Sequence, residues 1–159
     1  MTAPESPNRV SGRDVAEQLE PLLTELIALA LNGKQAHWHL YGRQFSPLHE
    51  KLDEVVSEAR TYADEIAERL VALGVPVDGR PQAVAQASPD FPEGFVSDDK
   101  VLALIVEQLD ALIDRTRETL GPLESIDLAS QDIALELLRV LEKRRWMLAA
   151  FQNTEASKR

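Results

Sequence analysis

The sequence has 159 residues, a formal net charge of −10 and no cysteine. That length suits one domain with a sizeable core, and the missing thiols exclude disulfides, thiolate zinc sites and cysteine nucleophiles. A surface this acidic repels phosphate backbones and attracts cations, and no apolar run approaches the roughly 20 residues of a membrane span.

Residues 1–10 are rich in Pro, Ser and Asn and read as a loose N-terminal tail. The opening stretch MTAPESPNRVSGRD carries no apolar signal core, so a cytoplasmic protein is expected. Ser11 is placed to cap a first helix. Val15, Leu19, Leu22, Leu23, Leu26, Ile27, Ala30 and Leu31 repeat along it at helical spacing. It is expected to run to about Tyr41, where Gly42 stops it.

Ser46 then caps and Pro47 opens a second helix, which continues to Leu73 with Gly74 as its terminator. Its core stripe is Leu48, Leu52, Val55, Ala59, Tyr62, Ile66 and Leu73. Residues 74–97 are punctuated by proline and glycine and form a long connection, with a short helix over Gln82–Ala87. Ser97, Asp98 and Asp99 mark a third start, with acids facing the positive helix end. Val101, Leu104, Ile105, Leu109, Leu112 and Ile113 carry that helix to Gly121. A last helix follows Pro122, from about Leu128 to Asn153, on Ile133, Leu137, Leu138, Leu141, Trp146 and Phe151.

No strand pattern competes. The expectation is an all-α, ferritin-like four-helix bundle over residues 11–154, with a long crossover containing a short helix between helices two and three. Residues 155–159 form a short C-terminal tail.

The chemistry lies on helix two. His49 with Asp53, and Asp64 with Glu68, are spaced i,i+4, so each pair shares a helix face. The pairs are three turns apart and lie on one stripe. At ~1.5 Å rise per residue they are roughly 16 Å apart, too far for one ion with ligand bonds of ~2 Å. At ~100° per residue the stripe points away from the chain's own core. A solvated face is the plain reading of such a stripe. Against it, Asp64 and Glu68 repel one another unless a cation offsets them, and Arg69 is placed to pair with Glu65 instead.

If the two pairs share a metal, a second copy of the helix must cross the first antiparallel. The midpoints of 49/68 and 53/64 coincide between residues 58 and 59, so a two-fold axis near Glu58 and Ala59 brings Asp64 and Glu68 of one chain opposite His49 and Asp53 of the other. Ala59 is small enough for a close crossing. The turn after helix one can bring His37 near the start of helix two. Imidazole and carboxylates without sulfur suit Fe(II), Mn(II) or Zn(II) rather than Ca(II). No Glu-x-x-His occurs, which argues against a di-iron centre inside one bundle.

The run KQAHWHLYGRQFSPLHEKLDEVVSEARTYADEIAER, residues 34–69, resembles the core signature of the Dps miniferritins (DNA-binding proteins from starved cells). The likeness extends more loosely over 129–150. It implies a ferroxidase that forms a hollow dodecamer from two-fold dimers and stores mineralised iron, with hydrogen peroxide, or else O2, as oxidant. It implies that His37, His49 and Asp53 of one subunit face Asp64 and Glu68 of its mate, holding up to two irons per site. Trp38 would lie near the iron and be open to oxidation, or else pack in an interface.

Glu124, Asp127 and Asp132 match acids that line the family's three-fold pores, Asp132 best; their alternative is complementarity at a helix start. The family's usual Asn after His-Trp is His39 here, expected to cap the helix end or face solvent rather than act as a further ligand. DNA binding is disfavoured, because the tails offer only Arg9 and Arg13 against Glu5, and Lys158 and Arg159 against Glu155. The competing function is a non-enzymatic, nucleoid-associated, DNA-protecting assembly protein.

Overall fold

The computed structural model describes residues 10–152. The tail expectations for residues 1–9 and 153–159 lie outside the described residues, and Val10 packs half-buried against the core. The elements are α1 (Gly12–His39), β1 (Leu40–Tyr41), α2 (Phe45–Ala72), α3 (Pro81–Ala87), β2 (Val96–Ser97), α4 (Asp98–Ile126) and α5 (Leu128–Gln152). The four long helices form a bundle, with α1 along α2 and α4 along α5, and α3 lies in the crossover against α1.

The ends follow local chemistry. The Ser11 side chain accepts from the Asp14 N–H and starts α1, and Ser97 accepts from the Lys100 N–H and starts α4. Pro81 opens α3. Gly74 takes φ 81° just past α2, the left-handed turn that ends helices.

The core is a leucine-rich seam. Leu19, Leu26, Leu52, Ile66, Ile105 and Leu109 are among its fully buried side chains. Truncating one such leucine to alanine costs about 2–5 kcal/mol through lost transfer energy and a residual cavity. Gly33 brings α1 close to α2, since a Cβ there would lie 2.7 Å from Val56 Cγ2. Arg144 of α5 forks onto Glu58 of α2 at 2.6 and 2.5 Å and also pairs with Glu54, tying these two helices together.

Several expectations are corrected. Helix one ends at His39, because Leu40–Tyr41 turn extended and pair in parallel with Val96–Ser97, two short strands that helical periodicity does not reveal. Helix two starts at Phe45, with Gln44 at the cap position and no side-chain cap, so Ser46 is already helical. The third long helix runs through Gly121 and Pro122 to Ile126. Fully buried Leu123 anchors its last turn, and Gln131 Nε2 donates to the Leu120 carbonyl at 3.0 Å. Trp146 and Leu31, expected in the core, are 67% and 58% exposed. Both lie on helix faces that the single chain leaves uncovered.

Candidate metal centre

The turn at Gly42, where the Phe45 N–H bonds the Gly42 carbonyl, folds the chain back so that the end of α1 meets the start of α2, and the β1–β2 pairing ties that turn to the start of α4. His37 and His49 stack there with ring centroids 3.5 Å apart and planes inclined by 20°. Phe45 stacks on the other side of His49 at 5.1 Å. His37 Nδ1 bonds the His49 carbonyl at 2.9 Å, and His49 Nδ1 bonds the His37 carbonyl at 2.9 Å. A carbonyl only accepts, so each Nδ1 carries the proton. In the neutral rings, both Nε2 lone pairs are therefore left for a metal, the arrangement in which a backbone carbonyl fixes the tautomer of a ligand histidine.

Asp53 stands beside this pair, one turn beyond His49, with its carboxylate 3.4 Å from His37 Nδ1. Lys34 Nζ donates to it at 2.5 Å. The Lys34 hydrogen bond holds the Asp53 carboxyl below its ordinary range against a smaller opposing effect of desolvation, and the Lys34 charge adds to the lowering. Sequence spacing did not single out Lys34 as part of the site. Its position three residues before His37, on the same helix face, was the available signal.

Asp64 and Glu68 lie farther along α2, exposed, and make no ion pair or hydrogen bond among the described residues. Asp53, Ser57, Arg60, Asp64 and Glu68 form one exposed stripe along the helix. The crossing expectation needs one correction: Ala59 is 3% exposed and faces its own core, and Glu58 is engaged by Arg144. The outward residues at that level are Ser57, Arg60 and Thr61. Arg69 is corrected too. It pairs with Asp127 at 2.5 Å, not with Glu65, which leaves the Asp64–Glu68 repulsion without that neighbour's relief. Among the described residues of one chain, no three His, Asp or Glu side chains converge as a metal site.

Asp127 takes the helix-start role. Besides Arg69, its carboxylate accepts from the Ser130 N–H at 3.1 Å and from the Ser130 hydroxyl, at the start of α5. Burial pushes its carboxyl up, and the bonds from Ser130 and Arg69 outweigh that and leave it below the ordinary range. Glu124 and Asp132 are exposed near the same helix junction. His39 bonds the Gln35 carbonyl through Nδ1 at 3.0 Å and meets the Phe95 ring edge-on, a helix-end role. Trp38 is 64% exposed, on the face of α1 that also carries Leu31.

The arrangement defines a class, a four-helix bundle with histidine and carboxylate donors at the junction of its first two long helices. A ferritin-like domain model matches residues 16–156. DNA protection during starvation protein 2 of Deinococcus radiodurans is 35% identical over 141 residues, which cover 87% of this chain and 58% of that protein. This chain thus spans less than two thirds of that relative. The DNA protection during starvation protein of Mycolicibacterium smegmatis is 35% identical over 140 residues, 86% of this chain and 76% of that one. The structure of Dps from Microbacterium arborescens in the high iron form superposes with a TM-score of 0.87 at 38% identity, covering 95% of this chain and 99% of that one. The chain belongs to the ferritin-like family and, within it, to the Dps miniferritins. No helix among the described residues is long and apolar enough to cross a membrane.

Proposed function

We propose that this protein is a ferroxidase and iron-storage miniferritin whose metal site is completed by a two-fold partner. The observation that carries the reading is the crossed hydrogen bonding of His37 and His49, which puts a proton on each Nδ1 and so leaves each Nε2, in the neutral ring, as the atom that can bind a metal. Asp53 adds a carboxylate held in its ionised form. Asp64 and Glu68, without a partner among the described residues, lie on the same stripe about 16 Å farther along. Two copies crossing antiparallel bring the halves together and make two equivalent sites. A relative of the same fold was solved in a high iron form, which supports iron as the cargo.

In this reading Fe(II) is the substrate. His37 and Asp53 of one chain and Glu68 of the other hold the first ion most firmly. His49 and Asp64 assist it or hold a second, weaker ion. Lys34 must give up Asp53 as the cation arrives. Carboxylate donors favour Fe(III) over Fe(II) and so favour electron loss. Two Fe(II) ions each give one electron to hydrogen peroxide, whose O–O bond breaks to yield two waters with two protons taken up. The ferric product passes to the cavity of a closed shell, a dodecamer in this proposal, and is stored as mineral, limiting oxidative damage in the cytoplasm. Asp132, with Glu124 near it, is the pore candidate through which Fe(II) enters. Asp127 is committed to Arg69 and Ser130 and serves the pore only as the start of α5.

Anaerobic Fe(II) titration on protein of measured mass, followed by peroxide or O2, tests this. The proposal expects saturable binding by an oligomer, then rapid oxidation. A nucleoid protein without enzymatic activity gives no saturable Fe(II) binding and shifts DNA at low salt. A protein of 17.7 kDa in solution contradicts the assembly.

A further inference from the structure

The turn between the two histidines is held from outside its own helices. Gln44 caps α2 in position only: its side chain makes no cap hydrogen bond, and its Oε1 is buried without a partner among the described residues. The Gln44 backbone N–H is instead held by Asp98, 54 residues later, whose Oδ2 accepts from it at 2.9 Å. The other oxygen, Oδ1, accepts from the Asp99 N–H at 2.9 Å in the first turn of α4. One carboxylate, 8% exposed, thus sits at the positive ends of two helices at once. Gly42 makes room for it. A Cβ at that residue, with φ 139°, would lie 2.2 Å from both Asp98 Cγ and Oδ2. The Leu40↔Val96 and Tyr41↔Ser97 pairing completes the clasp.

His37 and His49 lie on the two helices that this turn joins, and their crossed hydrogen bonds require each ring to reach the other's backbone carbonyl. We infer that Asp98 is a positioning residue for the metal-binding pair: by fixing the start of α2 against the start of α4, its carboxylate sets the His37–His49 geometry that presents both Nε2 atoms. The inference rests on the metal-site reading above. Asp98 touches no metal and no substrate. It acts through the Gln44 N–H and the turn.

The test uses Co(II), an oxygen-stable stand-in for Fe(II), with the assembled protein and no turnover. Affinity and the visible absorption bands of bound Co(II) are read together with the melting temperature. Asp98→Ala is expected to weaken Co(II) binding about tenfold or more, the usual scale for groups that orient a metal's ligands, and to change the band pattern. Asp98→Asn keeps the shape and one acceptor oxygen, and is expected to fall between Asp98→Ala and the wild type.

Ser97→Ala is the structural control. It removes the hydroxyl that caps α4 by accepting from the Lys100 N–H, a group that makes no bond to the turn, and keeps the backbone pairing with Tyr41, so it should lower the melting temperature while leaving Co(II) affinity within about twofold. If Asp98→Ala does not fold, Asp98→Asn decides. Wild-type affinity and bands in the folded Asp98 variants overturn the positioning role, as does an equal loss of affinity in Ser97→Ala. Wild-type protein that binds no Co(II) and no Fe(II) saturably sinks the metal-site reading instead, and the inference falls with it.

Discussion

His37 and His49 each donate from Nδ1 to the other's backbone carbonyl at 2.9 Å while their rings stack 3.5 Å apart. Position and tautomer are thereby set by the same two contacts. His37→Phe keeps a ring on His49 but removes one hydrogen bond and one Nε2. It should cost about 1 kcal/mol of stability, the usual net worth of one such bond, and abolish saturable Co(II) binding. Thermal melts and Co(II) titration check the pair of outcomes. Unchanged Co(II) affinity removes His37 from the ligand set.

Lys34 competes with any cation for Asp53, from 2.5 Å away. Lys34→Met should strengthen Co(II) or Fe(II) binding about two- to fivefold, the scale set by an exposed ion pair of up to ~1 kcal/mol. The variant also lets the Asp53 carboxyl rise toward its ordinary range, since the Lys34 bond is the largest cause of its lowering. Binding measured against pH should then weaken at a higher pH on the acid side than in the wild type. Weaker metal binding at neutral pH assigns Lys34 a supporting role instead.

Asp64 and Glu68 are exposed, with no partner among the described residues of their own chain. Replacing both by alanine should change stability by no more than about 0.5 kcal/mol and relieve a small like-charge repulsion. Fast Fe(II) oxidation should disappear. Stopped-flow absorbance after peroxide addition, beside a thermal melt, separates the two effects. Oxidation at the wild-type rate removes these carboxylates from the site.

Asp127 joins the start of α5 to Arg69 of α2. Its folded-state carboxyl lies below the ordinary value, so its contribution to stability is complete above the unfolded value of about 3.9 and is lost as pH falls through the lower folded value. Asp127→Asn should lower stability by about 1–2 kcal/mol at pH 7, as for a lost cap, and flatten the acid limb between about pH 5 and 2. Urea melts over that range give both quantities. A variant with the wild-type acid limb contradicts the assignment.

Much of this was legible in the chain. The i,i+4 spacing placed Asp53, Asp64 and Glu68 on a stripe turned away from the core, and all three are exposed on α2. Ser11, Ser97 and Gly74 announced their helix boundaries because capping chemistry is local. Long-range contacts left no such trace. The two-residue strands, Asp98 reaching Gln44 and Arg69 reaching Asp127 join residues more than 50 positions apart, and no period encodes them. Trp146 misled for another reason. A large apolar residue at helical spacing reads as core, whereas its face of α5 is uncovered in the single chain. Pro122 misled because a buried Leu123 can hold a helix past a missing N–H.

The central claim is that neither chain holds the metal unaided, and subunit mixing tests it most directly. One tagged variant carries His37→Phe with Asp53→Asn, the other carries Asp64→Ala with Glu68→Ala, and the two are co-expressed and purified through both tags. Each variant alone should be inactive. A mixed dimer has one site with both halves damaged and one with both intact, so random pairing of dimers should restore about a quarter of all sites. Fe(II) oxidation recovering to that level is the predicted result. Mixed assemblies as inactive as either parent contradict it.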